Sequence, residues 1–288
     1  MKKYVKLIRP QHWVKNALIF VPAFFAGDLF QKEKITVLVI GFIAFSFIAS
    51  AVYIFNDICD IEKDRLHEIK RKRPIASGTV SIKKAWIVWI ILLIAAEGIV
   101  WYLEGTLLNT TNLFLLTYLI INILYSKRLK NVPIVDIMIL ASGFVMRMIF
   151  GGMLIKCEVS QWLYLTVLMF SLYMGMGKRR NELKKVGTGE TRTVLKYYTA
   201  QFLDKNMLMC MTLGVAFYAY WSAIIFEYKE YMIWTIPIVI AILMKYQLNI
   251  EADTFGDPIE VLISDKILWL LLIGYIILIC LPLYVFKV

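Results

Sequence analysis

The stretch ITVLVIGFIAFSFIASAVYIF (residues 35–55) runs without interruption into Asn56-Asp57-Ile58-Cys59-Asp60-Ile61-Glu62-Lys63-Asp64-Arg65. Its 21 uncharged residues make a helix about 30 Å long, the thickness of a bilayer's hydrocarbon core. Four more uncharged runs of similar length occupy residues 107–126, 159–177, 206–226 and 267–286. Residues 85–103 qualify with one acid, Glu97, and residues 132–155 with two charges, Asp136 and Arg147. Shorter runs at 17–30 and 231–244 extend into amphipathic flanks, so the pattern predicts nine transmembrane helices. Composition agrees. Of 288 residues, 60% are hydrophobic and 18% charged, against about 45–50% and 25% in soluble domains, and the mean hydropathy is +0.69. The soluble classes are excluded, leaving an all-α integral membrane protein.

The charges orient it. With the N-terminus inside, the inner loops (1–15, 57–84, 127–131, 178–205 and 245–266) hold 26 of the Lys and Arg residues and the outer loops hold 5. That bias obeys the positive-inside rule. It predicts a multi-pass protein of the cell membrane, with the N-terminus and all chemistry-bearing loops cytoplasmic. The net charge of +11 then reports topology and anionic ligands rather than nucleic acid. The first apolar run follows a basic stretch, but no small-residue cleavage site follows it, so it is kept as a span. Four cysteines lie far apart without a CxxC pair, and two histidines, His12 and His67, leave little for a histidine-rich metal centre.

If the second helix continues beyond residue 55, Asn56, Asp60 and Asp64 fall at i, i+4 and i+8, with Asp57 beside that stripe. Like charges stacked this way repel by a few tenths of a kcal/mol per pair, roughly. A divalent cation reverses the sign. Mg²⁺ suits such a stripe, because it takes one or two carboxylates together with phosphate oxygens and water. Lys70, Arg71, Lys72 and Arg73 follow, then Pro74. Acids that hold a metal beside bases that hold phosphate point to a diphosphate–Mg²⁺ site. The plainer reading, a polar turn whose bases serve topology, conflicts with the rule that acids at membrane level are usually functional.

The segment NDICDIEKDRLHEIKRKRP (56–74) resembles the first motif of the UbiA superfamily of intramembrane prenyltransferases. The resemblance spans nearly the whole chain. It implies one UbiA-like transmembrane domain over residues 1–288, with nine helices around a central cavity. It also implies Mg²⁺ coordination by Asn56, Asp57, Asp60 and Asp64, and phosphate contacts from Lys70 and Arg73. Further segments resemble one branch of that superfamily: RPQHWVKN (9–16), YSKRLKNVPIVDI (125–137), SGFVMRMIFGG (142–152), KRRNEL (178–183) and TRTVLKYYT (191–199). Members of that branch move 5-phosphoribose from phosphoribosyl diphosphate to a polyprenyl (decaprenyl-type) phosphate and release diphosphate. The lipid is then acceptor, not donor.

The remaining charges bear on that choice independently. Aromatic prenyltransferases of the superfamily carry a second acid motif with two Asp residues four apart; here Asp136 stands alone and Leu140 takes the fourth place. Its surroundings are basic, with Lys127, Arg128, Lys130 and the intramembrane Arg147. One acid motif with surplus cations suits extra phosphate groups better than a second metal. Arg147 must avoid lipid, so it either binds ligand or forms a structural ion pair. Lys15 beside Trp13 is a snorkelling candidate that the resemblance moves toward phosphate. Tyr125, Lys178 and Arg179 end helices and are candidate substrate contacts, while the acidic residues of 251–265 read as a solvated face. Three readings stay open: phosphoribosyl transfer, prenyl transfer from a prenyl diphosphate to a small acceptor, and a non-catalytic lipid-binding or transport protein. A homo-oligomer is also left open.

Overall fold

The structure, a computed structural model, describes residues 2–106, 108–184, 193–225, 229–252, 261 and 265–285. Every regular element among them is helical. The chain divides into two compact units, Met1–Ile139 with Met146–Glu158, and Leu140–Val145 with Val159–Val288.

The first unit opens with α1 (Lys2–Ile8), a 3-10 helix at Pro10–Phe20 and the short α2 (Val21–Phe25). The apolar run at 17–30 is therefore not the regular helix that its composition predicts. Pro10 and Pro22 each stand in a first turn, where a ring without an N–H is tolerated but continuous α-helix across both is not. The backbone here also lies hard against a later helix: a Cβ on Gly151 would come within 1.9 Å of the Ile19 carbonyl oxygen. Only glycine allows that approach.

The unit continues with α3 (Lys32–Cys59), α4 (Ile61–Leu66), α5 (Ile82–Glu104), α6 (Thr110–Lys127) and α7 (Val135–Leu154). Ser81 caps α5 by accepting from the Lys84 amide, and Gly105, at φ 71°, closes its other end. Asn109 starts α6 through the Asn112 amide at 2.7 Å. Such caps satisfy amides that the first turn leaves without partners. Helix α3 packs on α5 and α6 around the Phe45, Tyr118 and Phe150 rings, whose centroids lie 4.7 and 5.3 Å from Phe45. A second cluster joins Leu7, Ala51, Ile54, Ile75 and Val80. It pins the loop after α4 beneath α1.

In the second unit α8 (Gln161–Lys184) packs along α9 (Ala200–Tyr220). The short α10 (Lys229–Met232), then α11 (Ile236–Glu251) and α12 (Lys266–Cys280), complete it. Asp265 caps α12 by accepting from the Ile267 and Leu268 amides at 2.8 and 3.0 Å. Among the described residues, six helical segments are long and apolar enough to cross a membrane: Lys32–Cys59, Ile82–Glu104, Val135–Leu154, Ala200–Ile224, Lys229–Glu251 and Lys266–Val285.

Candidate active site

The acid motif does not lie on one unbroken helix. Helix α3 stops at Cys59, and Asp60 takes a non-helical conformation (φ −102°, ψ 10°) before α4 restarts at Ile61. The Asp60 amide still donates to the Asn56 carbonyl (3.0 Å) and the Asp64 amide to the Asp60 carbonyl (2.8 Å), so the turns continue across the break. The expected face of Asn56, Asp60 and Asp64 is replaced by a different grouping. Asp57 and Asp64, seven residues and two turns apart, come to a common point: Arg73 Nη1 donates to Asp57 Oδ1 at 3.1 Å and Asp64 Oδ2 at 2.6 Å. Both carboxylates are buried, at 1% and 4% exposure. Asp60 turns elsewhere and accepts from Lys130 Nζ at 2.5 Å. Asn56 is half-buried at the end of α3.

A second guanidinium completes the grouping. Arg9 Nη2 lies 2.6 Å from both oxygens of Asp57, and the Arg9 guanidinium covers the Tyr53 ring at 5.3 Å. Arg9 takes a left-handed backbone conformation (φ 57°, ψ 58°), which is uncommon for a non-glycine residue and is maintained only when surrounding contacts fix it. The sequence reading passed over this residue. A signal was present: Arg9-Pro10 and Arg73-Pro74 are both Arg-Pro pairs, and both arginines reach Asp57. The buried Ile75 and Val80 anchor the chain after Arg73, while Arg71 and Lys72 stay exposed. Lys70 is half-buried, its amide directed at His67 Nδ1.

The donor set fits a hard divalent cation, since two carboxylates already meet at a positively charged nitrogen and Mg²⁺ takes oxygen ligands. Among the described residues no three acidic, His or Cys side chains converge. Of the four residues read from sequence as metal ligands, Asp57 and Asp64 share Arg73, while Asp60 pairs with Lys130.

Asp136 is fully buried in the first turn of α7, just after Ile134, a β-branched residue at φ 68°. Arg147 is buried among apolar groups: Nε donates to Asn16 Oδ1 at 2.7 Å and Nη2 to the Tyr118 hydroxyl at 3.0 Å. Its guanidinium also covers the Phe45 and Tyr118 rings at 5.1 and 5.4 Å. Asn16 in turn donates to Ser46, and Trp13 to Ser50, which fastens the 3-10 helix carrying Lys15 to α3. Lys15 and Tyr125 are half-buried. In the second unit Lys178 is half-buried, and Arg179 is fully buried with Nη1 on Glu182 at 2.7 Å. Asp265 pairs with Lys245 at 2.9 Å. That ammonium, with the two cap amides and Asn249, holds its carboxyl well below the usual carboxylate range. Thr191 and Arg192 of TRTVLKYYT, and Asp253, Asp257 and Glu260 of the acidic loop, lie outside the described residues.

These features define an all-helical membrane protein with paired acids and arginines at the end of an apolar helix, the build of an intramembrane transferase. The chain belongs to the UbiA prenyltransferase family, which matches residues 17–271. It is 32% identical to the decaprenyl-phosphate phosphoribosyltransferase of Corynebacterium glutamicum over 98% of this chain and 86% of that protein. The enzyme of the same name from Mycobacterium tuberculosis is 34% identical over 94% of this chain and 91% of its own. In fold the chain resembles a UbiA homolog from Archaeoglobus fulgidus solved with GPP and Mg²⁺. That likeness has a TM-score of 0.73 at 21% identity and covers 96% of this chain and 99% of the other.

Proposed function

We propose that this protein transfers 5-phosphoribose from phosphoribosyl diphosphate to a polyprenyl phosphate of decaprenyl type, releasing diphosphate in an Mg²⁺-dependent reaction at the cytoplasmic face. The observation that carries this reading is similarity along 94–98% of the chain to enzymes named for that transfer. The lone Asp136, in place of a second paired-acid motif, supports it over a prenyl diphosphate donor.

In this reading Asp57 and Asp64 are the principal holders of Mg²⁺, with Asp60 and Asn56 within reach along the same motif. Held by these residues, Mg²⁺ would supply charge neutralisation for the departing diphosphate. Arg73 and Arg9, already at the acids, supply charge-assisted contacts to diphosphate oxygens. Lys15, Lys70 and Tyr125 are further substrate contacts in the first unit. Ribose C1 acquires oxocarbenium character as its bond to the diphosphate oxygen breaks, as in glycoside cleavage. A lipid phosphate oxygen, anionic at neutral pH, forms the new C1–O bond. No proton has to be removed, which accords with only two histidines in the chain. Catalysis rests on positioning and fixed charge. Arg147 acts as a positioning residue that fixes Asn16, next to Lys15.

We further infer nine crossings in a single UbiA-like domain, adding α6, α8 and the N-terminal segment to the six apolar helices, with the 26-to-5 distribution of Lys and Arg placing the acids inside. In sealed cells an impermeant thiol reagent then labels a cysteine placed at Lys229 but not one at Lys83; the opposite pattern overturns the orientation. The decisive assay for the reaction compares labelled phosphoribosyl diphosphate with labelled prenyl diphosphates in membranes containing this chain. Phosphoribosyl-lipid formation is expected. Prenylation of an aromatic acid without it would refute the assignment.

A further inference from the structure

An open recess of about 420 Å³ lies beside the paired acids, on the Asp60 side of the motif. Its walls come from the α3–α4 junction and the turn after α6. Four cations line it, Lys63, Lys127, Arg128 and Lys130, together with Cys59 and Asp60. Asp60, the one acid in the lining, is already neutralised by Lys130 at 2.5 Å. The recess thus keeps a surplus of positive charge even after Asp60 is counted, and a phosphate dianion suits it.

The helix geometry separates this recess from the acids that face Arg73. Residues seven apart share a face, whereas residues 59 and 63 point more than a quarter turn away from residues 57 and 64, and Asp60, at the break between α3 and α4, is drawn to Lys130. Side chains three or four residues apart are about 5–6 Å from one another. A pentose phosphorylated at both C1 and C5 carries its two anionic ends across one furanose ring, a span of that scale.

Given the reaction proposed above, on which this rests, we propose that the recess is the subsite for the donor's 5-phosphate, with Lys127, Arg128 and Lys63 as its contacts. The alternative source of a phosphate monoester is the lipid acceptor. The lining favours the sugar phosphate, because no aliphatic side chain takes part in it and a prenyl chain next to the phosphate would have nothing apolar to cover it.

The exposed Cys59 is a built-in reporter. In the full-length protein in detergent, alkylation of Cys59 is followed by peptide mass spectrometry, with the buried Cys210 as internal reference. Ribose 5-phosphate, which has no diphosphate for the acids, should slow Cys59 alkylation several-fold, and geranyl phosphate should not. The double substitution Lys127→Gln with Arg128→Gln should abolish that protection. It should also raise the KM for phosphoribosyl diphosphate about tenfold or more, with kcat changed far less and inhibition by diphosphate retained. Protection by geranyl phosphate alone, or unchanged KM in the double variant, would overturn the subsite. A wrong reaction assignment would show differently, as absent transfer with ribose 5-phosphate protection intact.

Discussion

Breaking the Arg9–Asp57 pair tests the centre of the site most directly. Arg9 Nη2 lies 2.6 Å from each Asp57 oxygen, and the two side chains are 13% and 1% exposed. Removing one member of a buried pair costs about 3–5 kcal/mol, since the other charge is left without compensation. Two features reduce that figure. Water reaches part of Arg9, and Arg73 remains on Asp57 at 3.1 Å. Arg9→Ala should therefore destabilise by about 2–3 kcal/mol. Arg9→Gly should cost less, because glycine releases roughly 1–2 kcal/mol of left-handed backbone strain at some entropic loss. Arg9→Lys should fall between wild type and alanine, retaining charge without the planar fork. The decisive quantity is the coupling in a double-mutant cycle with Asp57→Asn, expected at about 2 kcal/mol. Equilibrium unfolding of the four purified proteins in mixed micelles measures it. Coupling below about 0.5 kcal/mol, the additivity of independent sites, would refute the claim that Arg9 and Asp57 form one unit.

Three further outcomes follow from other parts of the chain. Asp64→Asn should leave the protein inserted and folded yet abolish transfer, as a charge is lost from the proposed Mg²⁺ pair; near-normal turnover at millimolar Mg²⁺ would dismiss that role. Gly151→Ala drives a methyl group into the Ile19 carbonyl and should lower thermal stability by roughly 1–3 kcal/mol or more, as overpacking does; an unchanged Tm would mean that the 3-10 segment yields freely. Asp265 has a folded pKa below its ordinary value of 3.8, so its stabilising contribution is complete above that value and is lost as pH falls through the lower folded pKa. The stability advantage of wild type over Asp265→Asn should accordingly be full at pH 7 and shrink below about pH 4, and a difference that stays constant across that range would contradict the pairing with Lys245.

The membrane-spanning character was legible because it depends on long apolar runs, which need no tertiary information. Residues 35–55 lie within α3 as read, and 132–155 correspond closely to α7. The N-terminal run shows where such counting fails. Hydropathy is blind to Pro10 and Pro22, and to the close approach at Gly151 that seats the backbone. The acid motif was legible as a cluster but not as a geometry. A continuous helix already sets Asp57 and Asp64 on one face; what no local pattern shows is that Arg73 joins them while Asp60, at the interruption, turns to Lys130. The Arg-Pro pair marks Arg9 but not its partner: Arg9 lies 48 residues from Asp57, and its reach depends on a left-handed backbone that no local pattern encodes.

Arg147 shows how a charge inside a span can be accommodated by the helices around it. Its cost in hydrocarbon predicted a polar cavity or an ion pair. The structure supplies it with neutral hydrogen-bond acceptors on Asn16 and Tyr118 and with two aromatic faces. Such partners are worth more in a low-dielectric interior than in water. Through Asn16 and Ser46 they connect α7, α6 and α3 to the 3-10 helix. That helix starts immediately after Arg9 and contains Lys15. A 3-10 helix of 11 residues is longer than its own hydrogen bonds ordinarily sustain, so outside contacts have to hold it. Trp13–Ser50, Asn16–Ser46, Asn16–Arg147 and the Ile19–Gly151 approach are those contacts, spaced about one turn apart. In the reaction proposed above, the buried arginine is a positioning residue. It holds in register the segment that brings Arg9 to Asp57, and the strain at Arg9 is sustained by packing at the opposite end of the same short helix.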